Sequence, residues 1–148
     1  MSGISPGKTL HMILSELEEA VNTHITILKG LKAACIKLKR GEQAEKHLES
    51  RMKAVRRIRN EILQSLKSFE YLDEPVDEEL ASEIVAMVMY IEMSAIKDER
   101  RYLLIARKLL ERRGEVLDIE EDLKKLDEMS ESAKRVIEKY TKISSKSQ

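Results

Sequence analysis

The apolar residues of this chain recur at the spacing of helices that bury one side. In the first forty residues they alternate four and three positions apart, which predicts an amphipathic helix packed against other helices. The stripe consists of Leu10, Leu14, Leu17, Val21, His24, Leu28, Leu31, Cys35 and Leu38. Comparable stripes run through residues 48–69 and 119–143, so the same local structure is predicted there.

Residues that interrupt helices divide this pattern into four long segments. Gly41, Pro75 and Gly114 mark the breaks, and both glycines follow basic residues, as is typical of helix C-termini. The predicted helices cover about 9–40, 42–72, 77–113 and 115–143. Four rods of similar length joined by short loops predict an all-α fold. We expect an antiparallel up-and-down four-helix bundle that forms a single domain over residues 1–148.

The third segment differs because it is apolar around most of its circumference. From Ile84 to Ile96 nearly every residue is apolar or small, so we expect the most buried helix of the bundle or one packed against a partner chain. Met89 is predicted to lie in the core, where an Asp would be severely disruptive.

Surplus apolar surface on this segment also predicts an interface. The candidate interface residues are Tyr90, Met93 and Leu103, with Ile25 and Ile27 from the first helix. A two-fold homodimer is the commonest way to close such a contact. Alternatively, the fourth helix covers the surplus surface and leaves a monomer.

The composition is typical of a helical protein, and the chain has no net charge that would attract a charged partner. Aromatic residues make up 3% of the 148 residues, there is no Trp, and Gly numbers 5 and Pro 2. Lys and Arg number 27, as do Asp and Glu. The richness in Glu, Lys and Arg is typical of thermophilic proteins.

The charges are nevertheless divided between the two halves. Residues 1–70 hold 13 Lys and Arg against 8 Asp and Glu, whereas residues 71–148 hold 14 against 19. The candidate basic patch consists of Arg51, Lys53, Arg56, Arg57 and Arg59. A nucleic-acid surface is one interpretation. We favour a solvated face with salt bridges between helices, because acidic residues flank the run and aromatic residues for base stacking are absent.

The candidate chemistry favours structural roles over catalysis. Glu92 stands in an apolar run, where we expect it at the polar edge of a helix beside a Lys or Arg of a neighbour. His24 and Cys35 occupy core positions, which predicts a hydrogen-bonded histidine and a buried thiol. No Glu-x-x-His motif occurs, although bundle metal sites commonly use one. We therefore predict no metal, no other cofactor and no enzymatic activity.

The single cysteine excludes an intramolecular disulfide. The N-terminal segment lacks the apolar core of a signal peptide, and no run of eighteen apolar residues predicts a membrane span. These features favour a cytoplasmic protein.

Three stretches resemble the PhoU-like family of helical bundles, in the branch of phosphate-transport regulators. They are GEQAEKHLE at 41–49, RIRNEILQSL at 57–66 and EPVDEELASEIVAMVMYIEMSA at 74–95, within a similarity that spans about residues 10–110. The resemblance implies a helical-bundle regulator. It also implies the places of the family's metal-binding carboxylates, but Met52 and Arg56, then Val85 and Met89, stand there instead.

Taken together, the sequence predicts a non-enzymatic binding or regulatory module that acts through protein–protein contacts. A homodimer and an unidentified protein partner are expected. The second interpretation is a nucleic-acid-associated or filament-forming structural protein, of the kind found in chromatin or viruses. Steep salt dependence of DNA binding, or assembly into polymers, would favour that second interpretation.

Overall fold

The computed structural model describes residues 8–145, and within this range all regular structure is helical. The helices are α1 (Leu10–Lys39), α2 (Glu45–Tyr71), α3 (Glu78–Tyr90), α4 (Ile96–Glu111) and α5 (Glu120–Ser145). A π-helical turn, Ile91–Ala95, joins α3 to α4 without a break, so these three pieces form one rod, here called the third rod. Residues 8–145 therefore form four long helical pieces, as predicted. Residues 1–7 and 146–148 of the predicted domain lie outside the described residues.

The helix ends are set by local capping. The Thr9 side chain accepts a hydrogen bond from the N–H of Met12, and the Asp77 side chain accepts one from Leu80, as N-caps do. Gly41 and Gly114 have φ angles of 83° and 77°, a left-handed conformation that glycine adopts without steric cost. Both predicted C-terminal glycines are thus confirmed.

The start of the last helix differs from the prediction. Helix α5 begins at Glu120 and not near residue 115. The Asp118 carboxylate accepts a hydrogen bond from the N–H of Glu120 at 3.1 Å. The residues between Gly114 and Glu120 form a connector without regular structure, because the polar side chain that satisfies the first turn stands only at 118.

The core lies among the four helical pieces. Helix α1 packs against α2 and α4, and α5 packs against α3 and α2. Buried side chains come from every piece and include Leu17, Ile62, Ile84, Leu103 and Leu126.

Polar contacts fasten both ends of the packed helices. At one end, Arg113 donates to the carbonyl oxygens of Leu38 and Glu42, each at 2.8 Å, and pairs with Glu45. At the other end, Lys139 donates to the carbonyl oxygens of Phe69 and Leu72 at 2.8 and 2.7 Å. These cations donate to carbonyl groups at or just after the C-termini of α1 and α2, where basic side chains are favourable.

The third rod is not the most buried piece, and this prediction is wrong. In α1, 13 of 30 residues are buried, whereas the 34 residues from 78 to 111 include 11 buried ones. Met89 is 41% exposed, not in the core. The apolar side chains go around the rod, but its neighbours α1 and α5 cover only part of the circumference. Among residues 8–145, no helix has the length and apolar character needed to cross a membrane.

Candidate functional site

A buried polar cluster joins all four helical pieces. His24 of α1 and Arg59 of α2 both contact Glu99 of α4, with Nε2 of His24 2.8 Å from Oε1 and Nε of Arg59 2.7 Å from Oε2. All three side chains are at most 3% exposed. A carboxylate removed from water is stabilised only by such charge-assisted contacts. The prediction of a hydrogen-bonded core histidine at position 24 is confirmed.

The cluster continues to α5 through Asp122. Arg59 Nη2 lies 2.8 Å from Asp122 Oδ1, and Arg56 donates to both oxygens of the same carboxylate at 2.9 Å. Burial raises the pKa of Asp122, but the hydrogen bond from Arg56 and the charge of Arg59 outweigh it, so the pKa falls below its ordinary value. The pKa of Arg56 is raised, chiefly by the same hydrogen bond.

The π-helical turn explains why Glu99 reaches the core. Through α3 and the turn itself, the buried positions Ile84, Val88, Ile91 and Ala95 are spaced four, three and four residues apart. In a regular α-helix the next buried residue would follow Ala95 by three positions and would be Asp98. A π turn accommodates one extra residue. After Ala95 and the adjacent buried Ile96, the next buried position is therefore Glu99, and Asp98 is exposed. Sequence reasoning missed Glu99. The signal was available in the four-residue steps Ile91–Ala95–Glu99–Leu103.

The cluster's composition suits stability more than catalysis. Glu99 is held by His24 and Arg59, and Asp122 by two guanidinium groups, so each buried carboxylate is already paired with a neighbour. Among residues 8–145, Nδ1 of His24 is buried without a hydrogen-bond partner, and Nη2 of Arg59 contacts Asp122 as an ion pair without forming a hydrogen bond. Within the same residues, no group of three or more His, Cys, Asp or Glu side chains has the geometry to hold a metal ion.

Glu92, within the π turn, faces α5 and not the cluster. Its carboxylate accepts a hydrogen bond from Ser130 at 2.8 Å and lies 4.0 Å from Nζ of Lys134. Its side chain is 22% exposed. The expectation that Glu92 meets a basic residue of a neighbouring helix at the edge of the core is confirmed.

Cys35 is buried, as predicted. Its thiol lies 3.9 Å from the carbonyl oxygen of Tyr102, and burial raises its pKa to about 11. At neutral pH such a group is almost entirely thiol, which is the unreactive form.

The structure divides the predicted interface residues between surface and core. Tyr90 is 38% exposed and Met93 59% exposed on the third rod, and Ile25 of α1 is partly buried. Ile27 and Leu103 are 8% and 0% exposed, so their assignment to an exposed face is wrong. Leu103 is inward because the π turn shifts every later position of α4 by one residue.

The exposed face of the third rod contains apolar side chains that the prediction omitted. Met89, Leu104 and Ile105 are 41%, 38% and 36% exposed. We use the name outer face for the exposed residues between positions 79 and 112, on this rod and its C-cap Arg112, that lie opposite the buried positions of the rod. Its apolar members are Ala86, Met89, Tyr90, Met93, Leu104 and Ile105.

The predicted basic patch is not one surface, and this grouping is corrected. Arg59 and Arg56 turn toward Glu99 and Asp122, because buried carboxylates attract them inward. Arg51 packs over Gly30 of α1, so that a Cβ at Gly30 would lie 2.9 Å from Cδ of Arg51. Lys53 and Arg57 remain exposed. Three of the five basic residues therefore contact another helix.

A small cavity of about 200 Å³ opens between α1 and the third rod. His24 and Ala95 line it, together with Tyr90, Asp98 and Tyr102. It connects the edge of the outer face to the histidine of the polar cluster.

Comparisons with known proteins give no relative for this chain. No family model, no curated protein and no solved structure matches it.

Proposed function

We propose that this chain is a non-enzymatic helical-bundle module that acts by binding protein, with the outer face as its binding surface. The observation that carries the proposal is the exposure of Met89, Tyr90 and Met93 on consecutive turns of the third rod, at 41%, 38% and 59%. Contiguous apolar side chains on the surface of a protein favour an interaction site.

The polar cluster supports a scaffold role for the interior. Its carboxylates, on α4 and α5, contact the imidazole group of α1 and the guanidinium groups of α2, which fixes how the four helices pack against one another. Buried ionic groups can specify one packing arrangement at some cost in stability. A rigid bundle of this kind presents the outer face in a defined shape, which lowers the entropic cost of binding.

We further propose that the helices run antiparallel, up and down. Arg113, at the end of the third rod, contacts Leu38 near the end of α1 and Glu45 at the start of α2. At the opposite end, the N–H of Leu10 donates to Glu74 just after α2. These contacts support the arrangement, which the similar lengths of the rods and the short loops also predict. That ancestry, a regulatory role, a cytoplasmic location and a thermophilic source remain predictions from the sequence.

A second copy of the chain is the first partner that we propose. Met93→Glu adds a charge to the outer face and should abolish association, because an unpaired charge is costly in a contact. Sedimentation equilibrium at micromolar concentrations should show wild type near twice the 17.1 kDa of one chain and Met93→Glu near the single-chain mass.

The matched control is Met12→Glu. Met12 is 48% exposed on α1, so its replacement changes the same chemistry away from the outer face. It should leave the mass of the dimer unchanged. Equal effects of the two variants would contradict the proposed location, and a wild-type monomer at all concentrations would contradict the homodimer.

A further inference from the structure

In addition to its buried stripe, the third rod has a stripe of exposed residues on the outer face, spaced as in a coiled coil. Its exposed positions are four and three residues apart on each side of the π turn. Toward the N-terminus they are Glu79, Glu83, Ala86, Tyr90 and Met93, and toward the C-terminus Arg101, Ile105, Lys108 and Arg112. Spacing of this kind suits packing against another long helix.

The charges of this stripe are segregated along the rod. Exposed residues of the outer face from 79 to 93 carry a net charge of −2, from Glu79 and Glu83. Those from 97 to 112 carry +2, with four basic residues against Asp98 and Glu111.

The charged residues of this stripe also differ from neighbouring charged residues in whether they form ion pairs with other helices. Arg100 and Arg107, on the flanks of the rod, pair with Asp127 and Glu120 of α5. By contrast, Glu79, Glu83, Lys108 and Arg112 make no ion pair within residues 8–145, although they are exposed in line with the apolar stripe. They are therefore available to a partner.

We infer that a second copy docks antiparallel on this face. The two-fold axis crosses the outer face at the level, along each third rod, of the peptide bond between Ala95 and Ile96. This inference rests on the proposed protein-binding role and specifies the partner and its orientation. In this register Glu83 lies opposite Lys108 of the second copy, and Glu79 lies opposite its Arg112. The same register places Ala86 against Ile105, and Tyr90 against Arg101, a favourable cation–aromatic pair.

The charge pattern selects this orientation over the parallel one. Parallel rods in register would set Glu83 against Glu83 and Lys108 against Lys108, which is unfavourable. The antiparallel pair has each acidic end against a basic end, twice over by symmetry. Charge complementarity sets orientation and partner choice in helical interfaces more than it sets the bulk of the affinity.

The test is a charge swap measured by sedimentation equilibrium in low salt. Glu83→Lys and Lys108→Glu should each weaken the dimer about tenfold, because each creates two like-charge contacts. The double variant Glu83→Lys/Lys108→Glu should restore the dissociation constant to within about threefold of wild type. Glu18→Lys, at an exposed position of α1, should have no effect, and circular dichroism checks that all variants are folded.

The outcomes separate this inference from the proposal on which it rests. A dimer that Met93→Glu dissociates, but that the double charge variant does not rescue, would overturn the antiparallel orientation and leave the outer face as the binding surface. A dimer that neither single charge variant weakens would favour the parallel pairing, and so would also overturn the inference. A wild type that stays monomeric would overturn both the orientation and the homodimer.

Discussion

Arg59 shows how strongly a single buried charge depends on its partners. It is 3% exposed and contacts both Glu99 and Asp122. Arg59→Met should lower the free energy of unfolding by about 3–5 kcal/mol, because it leaves buried carboxylates short of a counter-charge. Urea unfolding followed by circular dichroism measures the change.

Arg57, two residues away, provides the matched control. It is exposed and lines a surface groove, so Arg57→Met should change the free energy of unfolding by no more than about 0.5 kcal/mol. Similar losses for the two variants would show that Arg59 contributes nothing beyond an ordinary surface arginine.

Asp122 predicts how stability depends on acid. Its folded pKa is below the ordinary value, since Arg56 and Arg59 outweigh the effect of burial. A lowered carboxylate pKa contributes stability above the pKa of the unfolded chain, about 3.9, and that stability is lost as pH falls through the lower folded pKa. The free energy of unfolding should therefore decline below about pH 4, and Asp122→Asn should flatten the decline.

A second carboxylate variant controls for general acid effects. Asp127 pairs with Arg100 with its side chain 74% exposed, where solvent screens the interaction. Asp127→Asn should keep the slope of stability against pH seen in wild type. If Asp122→Asn also kept that slope, the assigned origin of the pKa shift would be incorrect.

At the scale of the element, the π turn has a property that an ordinary helix lacks. It holds one residue more than the α-helical spacing requires, so one residue can be removed from it without rotating the segments on either side. Deletion of Ser94 should convert Ile91–Ala95 to α-helix and keep Glu99 and Leu103 inside. We expect a folded protein whose melting temperature stays within a few degrees of wild type.

The contrasting deletion lies in regular helix. Removing Arg101, an exposed residue of α4, rotates every later residue by about 100° and takes Leu103 and Leu110 out of the core. That variant should lose most of its cooperative thermal transition. If both deletions behaved alike, the extra residue would not be located in the π turn.

At the scale of the whole molecule, adjacent residues distinguish core from outer face. Val88 is 0% exposed, whereas Met89 is 41% exposed. Val88→Asp should cost several kcal/mol because it buries an unpaired charge, and should leave little folded protein at 37 °C.

Met89→Asp, the neighbouring variant, should instead fold with a stability within about 1 kcal/mol of wild type. Thermal unfolding of dilute protein measures both. A severe loss for Met89→Asp would restore the original expectation of a core position and would remove one residue from the outer face.

Local pattern and composition were enough to locate the four long helical pieces of residues 8–145, but not the π turn or the start of α5. The stripe from Leu10 to Leu38, the caps at Thr9 and Asp77 and the left-handed glycines Gly41 and Gly114 each depend on residues within a few positions of one another. Such short-range preferences can be inferred from the chain alone. The same holds for His24 and Cys35, whose heptad positions place them inside.

Only the tertiary structure decided which polar residues join the core and which apolar residues stay outside. His24 and Glu99 are 75 positions apart, and Arg59 and Glu99 are 40 apart, so no local period relates them. The inward rotation of Glu99 depends on the π turn, and the exposure of Met93 depends on how far α1 and α5 extend around the third rod. Periodicity gives the direction of a side chain relative to its own helix, but the neighbouring helices determine what that side chain meets.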